Sequence, residues 1–125
     1  MSGIEKVSTK TGPPPAAPYS QAIKANGQLW ISGQIPADES GKLIEGSISE
    51  KTAQCCKNVK AIAEAAGSDI TKVVRVGVFL TSMDDFAAMN EEYGKWFAHK
   101  PARTCVAVAQ LPFGVPVEIE AIAIQ

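Results

Sequence analysis

The chain has 125 residues, 12 Lys+Arg against 13 Asp+Glu, a net charge of −1 and 46% hydrophobic residues. That is the length and composition of one domain spanning residues 1–125, large enough to bury roughly two-thirds of its unfolded surface without disulfide staples. The balanced charge lacks the basic excess of a nucleic-acid binder, and no apolar stretch approaches the ~18–20 residues of a membrane span.

Lys6-Val7-Ser8 reads as a short first strand. Pro13-Pro14-Pro15 and Pro18 force residues 12–18 to be extended or turned, because proline fixes φ and restricts its predecessor. Residues 19–25 read as a strand, and Asn26-Gly27 is a hairpin signal. Residues 28–35 return, with Leu29, Ile31 and Gly33 on one face and Trp30, Ser32 and Gln34 on the other. After a loop with Gly41 and Gly46, Ser47 and Glu50 have capping-box spacing, with Ser49 as the alternative N-cap. Ala53, Cys56, Val59 or Lys60, Ala63 and Ala66 give a helical stripe that Gly67 ends. Residues 73–80 are a β-rich run. A second helix is predicted over 84–98, with Phe86, Met89, Asn90, Tyr93 and Phe97 on one face. Residues 103–109 and 117–124 are the last two strands.

The order β-β-β-α-β-α-β-β predicts an α+β fold: a mixed sheet, with some parallel pairing, carrying two helices on one face. No third helix remains to cover the other face, so oligomerisation through the sheet is expected.

Arg103 stands at the head of an apolar strand and is always charged. Burying it alone would cost several kcal/mol, so a carboxylate of this chain or of a ligand must answer it. Alternation puts Glu118 and Glu120 on one face of the last strand, ~7 Å apart. A structural salt bridge is the plain reading. In a simple hairpin, however, Arg103 lies opposite Ala123 and Glu118 opposite Val108, ~17 Å from Arg103. Three alternatives stay open: the strands are not neighbours, the residues meet through another subunit, or Arg103 serves something else.

His99, the only histidine, fits a cation at a helix C-terminus better than a base. Cys105 fits a small buried hydrophobe better than a nucleophile. Tyr19 reads as core or as a pocket lid. Ser32 reads as a turn residue or a polar contact, and Gly33 permits close backbone approach. One histidine with Cys55, Cys56 and Cys105 makes no metal site, and no phosphate-binding or dinucleotide loop occurs. The cysteine pattern and the absence of a signal-like segment predict a cytoplasmic protein, with the nucleus open by diffusion.

Pro18-Tyr19-Ser20-Gln21-Ala22, Ser32-Gly33-Gln34-Ile35-Pro36, Asn58-Val59-Lys60, Pro101-Ala102-Arg103-Thr104-Cys105-Val106 and Val117-Glu118-Ile119-Glu120-Ala121-Ile122-Ala123 together resemble the RidA (YjgF/YER057c/UK114) family nearly end to end. The resemblance implies a chorismate-mutase-like α+β fold, assembled as a homotrimer with a barrel-like core and active sites between subunits. It implies cofactor-independent hydrolysis of enamine and imine intermediates from pyridoxal-phosphate-dependent dehydratases, such as 2-aminoacrylate and 2-iminobutanoate, to 2-keto acids and ammonia. Carried onto this chain, Arg103 grips the substrate carboxylate and Glu118 orients or activates water. Tyr19, Ser32, Gly33, Asn90 and the backbone at Cys105 line the site.

The short connection through His99-Lys100-Pro101 is similar to that of fungal members. Ala17, where a glycine often stands, and Phe113 depart from the family pattern at the cleft entrance. The resemblance also leaves two alternatives: a non-catalytic small-acid binder or chaperone-like trimer, and a ribonuclease or translation inhibitor.

Overall fold

A computed structural model describes residues 3–125. Strand β1 is Ile4–Val7, β2 Ala22–Ala25, β3 Gln28–Gln34, β4 Val73–Leu80, β5 Ala102–Ala107 and β6 Val117–Ile124, with helices α1 Ile48–Ala65 and α2 Phe86–Trp96. Asn26 and Gly27 both take positive φ, 52° and 74°, so the β2–β3 turn has the twist that hairpin strands require. Residues 19–21 precede β2 rather than extending it. Ser47, not Ser49, caps α1. Its hydroxyl accepts from the Glu50 amide, and the Glu50 carboxylate accepts from the Ser47 amide, each at 3.1 Å. The buried stripe of α1 is Cys55, Cys56, Asn58, Val59, Ile62 and Ala63, with Thr52; Lys60 is exposed and Ala53 half-buried.

The six strands run in the order β1-β2-β3-β6-β4-β5. All neighbours are antiparallel except β4 and β5, which are parallel. Parallel strands need a crossover, and α2 is that crossover. Strand β6 then inserts between β3 and β4, so the β5–β6 hairpin does not form; β4 separates them. The fold is α+β, with α1 and α2 in contact with each other and α1 lying on β3 and β6.

Leu29, Ile31, Val76, Val78, Leu80, Val117, Ile119, Ala121 and Ala123 are buried on the helix-bearing face. The opposite face carries Trp30 and Ile124, 46% and 53% exposed, together with Glu118 and Glu120. No helix of the described residues is long and apolar enough to cross a membrane.

Strand β3 departs from the predicted alternation. Ile31 pairs with Ala121 but Gln34 with Ile119, so β3 holds one extra residue there. This bulge turns Gln34 into the core and Gly33 toward Glu118, the reverse of the faces that simple alternation assigns. Bulges commonly re-aim side chains in this way.

Asn58, from the Asn58-Val59-Lys60 segment, anchors the chain after the bulge. Its buried side-chain amide donates to the carbonyls of Ile35 (3.2 Å) and Ala37 (2.8 Å) and accepts from Gln54 (2.8 Å). Asn58→Ala removes the partner of both carbonyls, and a buried group left unpaired costs about 1–3 kcal/mol. A loss of about 2–4 kcal/mol in urea unfolding is expected; an unchanged midpoint would contradict the anchoring role.

Candidate active site

The sequence-predicted site residues separate into two clusters on opposite faces of the sheet. Arg103 pairs in register with Val76, and Cys105 with Val78, so both point to the helix-bearing side. Glu118 pairs with Phe79 and points to the open side. Within one chain, Arg103 and Glu118 therefore cannot share a ligand.

The first cluster is built on β5 and α2. Arg103 Nη1 donates to Asn90 Oδ1 at 2.8 Å. The guanidinium carbon stands 4.7 Å from the Tyr93 ring centroid and 5.8 Å from that of Phe86, both inside cation–π range. Phe86, Asn90 and Tyr93 recur at helical spacing, which puts them on one face of α2. Among the described residues no carboxylate comes within ion-pair distance of Arg103; the ion pairs are Lys24–Glu5 and Lys95–Glu92. The guanidinium is thus held in orientation by one neutral acceptor and two rings, with donors left for a ligand. A hollow of about 230 Å³ opens beside it, lined by Tyr93, Phe97, Lys100 and Pro101 among others.

Burial pushes the Cys105 thiol up, with Arg103 opposing, so it stays protonated and suits a packing role rather than a nucleophilic one. Burial likewise raises Cys55 and Cys56.

The second cluster lies on β3, β6 and the loops beside them. Tyr19, Ser32, Gly33, Ile35, Phe113 and Glu118 line a hollow of about 380 Å³, with Ala16, Ala17 and Pro112. Ala17 and Phe113 both line it. Tyr19 is 47% exposed, which makes it a wall of the mouth and not core. Ser32 Oγ donates to the Ser20 carbonyl at 2.6 Å. Its proton is thereby committed and its lone pairs remain to accept from a ligand.

Burial, and next the charge of Glu120, hold the Glu118 carboxyl above the ordinary glutamate value of 4.5. Both glutamates lie over glycines of the flanking strands. A Cβ at Gly33 would fall 2.5 Å from Glu118 Oε2, and one at Gly77 2.9 Å from Glu120 Cγ. Gly33 therefore gives Glu118 room to lie across the sheet. Gly33→Ala should displace that carboxylate and cut activity at least ~10-fold, about 1.4 kcal/mol, with little change in thermal midpoint. Full activity in that variant would show that the close approach is dispensable.

His99 takes no part in either cluster. Its Nε2 lies 2.8 Å from the Val73 carbonyl, beyond the end of α2, so it ties the α2–β5 connection to β4 instead of capping the helix. Sequence reasoning passed over Tyr93 and Phe86 as partners of Arg103. The signal was present in their spacing with Asn90, but only the parallel β4–β5 pairing brings that helix face over the arginine.

The mixed α+β sheet thus carries, among the described residues, an arginine without a carboxylate partner on one face and a glutamate of raised pKa on the other, each beside its own hollow. The chain belongs to the family described as Endoribonuclease L-PSP, whose model matches residues 9–125 and which takes in the RidA-type proteins. It is 51% identical over 123 residues to "Protein MMF1, mitochondrial" of Saccharomyces cerevisiae, covering 98% of this chain and 85% of that one. It is 44% identical over 121 residues to the 2-iminobutanoate/2-iminopropanoate deaminase of Homo sapiens, covering 95% and 88%. The crystal structure of E. coli TdcF with bound serine superposes with a TM-score of 0.91 at 35% identity, covering 97% of this chain and 98% of that one.

Proposed function

We propose that this protein is a cofactor-independent deaminase of small 2-imino and 2-enamino acids, acting as a homo-oligomer, a trimer by family resemblance, in which Arg103 of one copy meets Glu118 of the next. The observation that carries this reading is the guanidinium left without a carboxylate while being aimed by Asn90 and Tyr93. Its fork matches the carboxylate of an amino-acid-derived substrate and supplies orientation as well as energy. The open sheet face, with Trp30 and Ile124, is the surface a second copy would cover. The human deaminase relative and the relative holding serine support the substrate class.

The chemistry needs little more. Water adds to the carbon of the protonated imine, Glu118 taking one of its protons while the C=N π electrons settle on nitrogen, which gives a neutral carbinolamine. Glu118 then hands that proton to the nitrogen, the C–N bond breaks to release ammonia as the hydroxyl oxygen forms the C=O bond, and the hydroxyl proton returns to Glu118 and passes to solvent. A carboxyl whose pKa burial holds above the ordinary glutamate value suits both transfers. Ser32 Oγ can accept from the imine N–H while its own proton stays with Ser20. The imine is already electrophilic, so no covalent nucleophile is called for. The endoribonuclease of the family's description fits less well: the only histidine spends its Nε2 on the Val73 carbonyl, and the net charge is −1.

The test couples the protein to a threonine dehydratase and follows 2-oxobutanoate. Acceleration of its release is expected; no acceleration over the uncatalysed rate would refute the assignment. The acid limb of kcat/KM should lie above 4.5, because the base must be ionised and its pKa is raised. Glu120→Gln removes a neighbouring negative charge, eases ionisation of Glu118 and should move that limb to lower pH. A limb that stays in place would remove Glu120 from the electrostatics of the site.

A further inference from the structure

The Glu118 hollow shares Tyr19 and Phe113 with a neighbouring space. These two rings, with Ala16, Gly33 and Ile35, also form one side of a second compartment of about 300 Å³. Its far wall is Pro13, Pro14, Pro15, Ala37 and Leu43. Among the described residues no carboxylate, lysine, arginine or histidine lines it, and Glu118 lines the first hollow.

Both glutamine side chains that reach this second space already hold hydrogen bonds to the backbone. Gln21 Nε2 donates to the carbonyls of Thr9 (3.0 Å) and Pro13 (2.9 Å), and its Oε1 accepts from the Thr9 amide (2.7 Å). Gln34 Nε2 donates to the Ser32 carbonyl at 3.0 Å. What remains for a ligand is mainly apolar surface.

The walls are also pre-formed. Prolines restrict one side, Gln21 fastens the Pro13 carbonyl, and Asn58 fastens those of Ile35 and Ala37. Phe113 adopts φ 59°, a left-handed conformation unfavourable for a bulky side chain. Its ring is 66% exposed, so core packing does not account for its place. That ring is the shared wall of the two spaces, which gives the strained backbone a use.

Resting on the deaminase reading, we propose that this compartment is the side-chain subsite of the enzyme. It selects 2-imino acids bearing a branched aliphatic or aromatic side chain over those derived from alanine or serine. With the carboxylate answered by Arg103 and the imine carbon at Glu118, the side chain is the remaining substituent. Methyl and ethyl groups fit within the first hollow and leave the second unused. Longer chains reach past Tyr19 and Phe113 into apolar surface. Each buried methylene is then worth about four-fold in kcat/KM.

The experiment generates imines in situ from L-alanine and L-leucine with an L-amino-acid oxidase and semicarbazide as the competing trap. It reads the fraction of imine diverted to free keto acid per unit of this protein. The leucine-to-alanine ratio of kcat/KM should be at least ~10 in the wild type and should collapse toward one in Leu43→Trp, which fills the compartment. A wild-type ratio near one, or a ratio that Leu43→Trp leaves unaltered, overturns the subsite while the deaminase reading stands. No turnover of either imine overturns both. Calorimetry on the wild-type protein supplies the same test without a variant. Binding of 4-methyl-2-oxopentanoate at least ~10-fold tighter than pyruvate supports the subsite, and equal or weaker binding overturns it.

Discussion

Arg103→Ala should lower kcat/KM for dehydratase-generated imine by about 100–1000-fold while the protein keeps its secondary structure and thermal midpoint. The size follows from losing a charge-assisted, two-point contact to the substrate carboxylate, about 3–4 kcal/mol of transition-state stabilisation. The fold should survive because, among the described residues, the guanidinium's hydrogen bond is the one to Asn90, and Arg103 lies on an edge strand, β5. Arg103→Lys keeps the charge and loses the planar fork, so it should fall between the two, about 10-fold below wild type. Release of 2-oxobutanoate, with circular dichroism melting as the control, reads both variants. Arg103→Ala at wild-type activity would refute the carboxylate assignment.

Mixing two inactive variants should restore activity. Arg103→Ala lacks the arginine and Glu118→Gln lacks the proton carrier, and each homo-oligomer should be inactive. When the two are co-expressed or refolded together, some interfaces combine an intact Arg103 from one copy with an intact Glu118 from its neighbour. In a closed ring with random 1:1 mixing, about a quarter of the sites are intact, so about a quarter of wild-type activity should return. This follows from the register. Arg103 is paired with Val76 on the helix-bearing face, and Glu118 with Phe79 on the open face. A site completed within one chain would give no recovery at all, and that result would sink the two-copy arrangement.

Much of the local structure was legible along the chain. Asn26-Gly27, the Ser47/Glu50 capping box and the β6 alternation all depend on interactions among residues a few positions apart, which sequence displays directly. The misreadings have a common origin. The bulge at Gly33 exchanged the faces of Gly33 and Gln34, because alternation holds only while pairing with the neighbouring strand stays in step. The His99 ring meets the Val73 carbonyl at the start of β4, a partner far away in the chain that local sequence does not display.

The candidate residues themselves were all readable as residue types in motifs, but their grouping was not. Tyr19, Ser32, Gly33 and Glu118 gather in one hollow, whereas Asn90, Arg103 and Cys105 gather on the other face. The hairpin count had kept Arg103 and Glu118 apart along the sheet, and β4 keeps them apart for a different reason: it stands between them and sets them on opposite sides.

By itself, then, the chain determined its element order, its turn and cap chemistry, and the presence of a permanently charged arginine at the head of β5. These follow from short-range sterics, hydrogen bonding and the permanent charge of a guanidinium. What stands beside that guanidinium was decided by tertiary structure. The α2 crossover makes β5 parallel to β4 and carries it to the sheet edge, and β6 fills the place between β3 and β4. That order turns Arg103 away from both glutamates of its own chain and leaves the guanidinium open to a ligand.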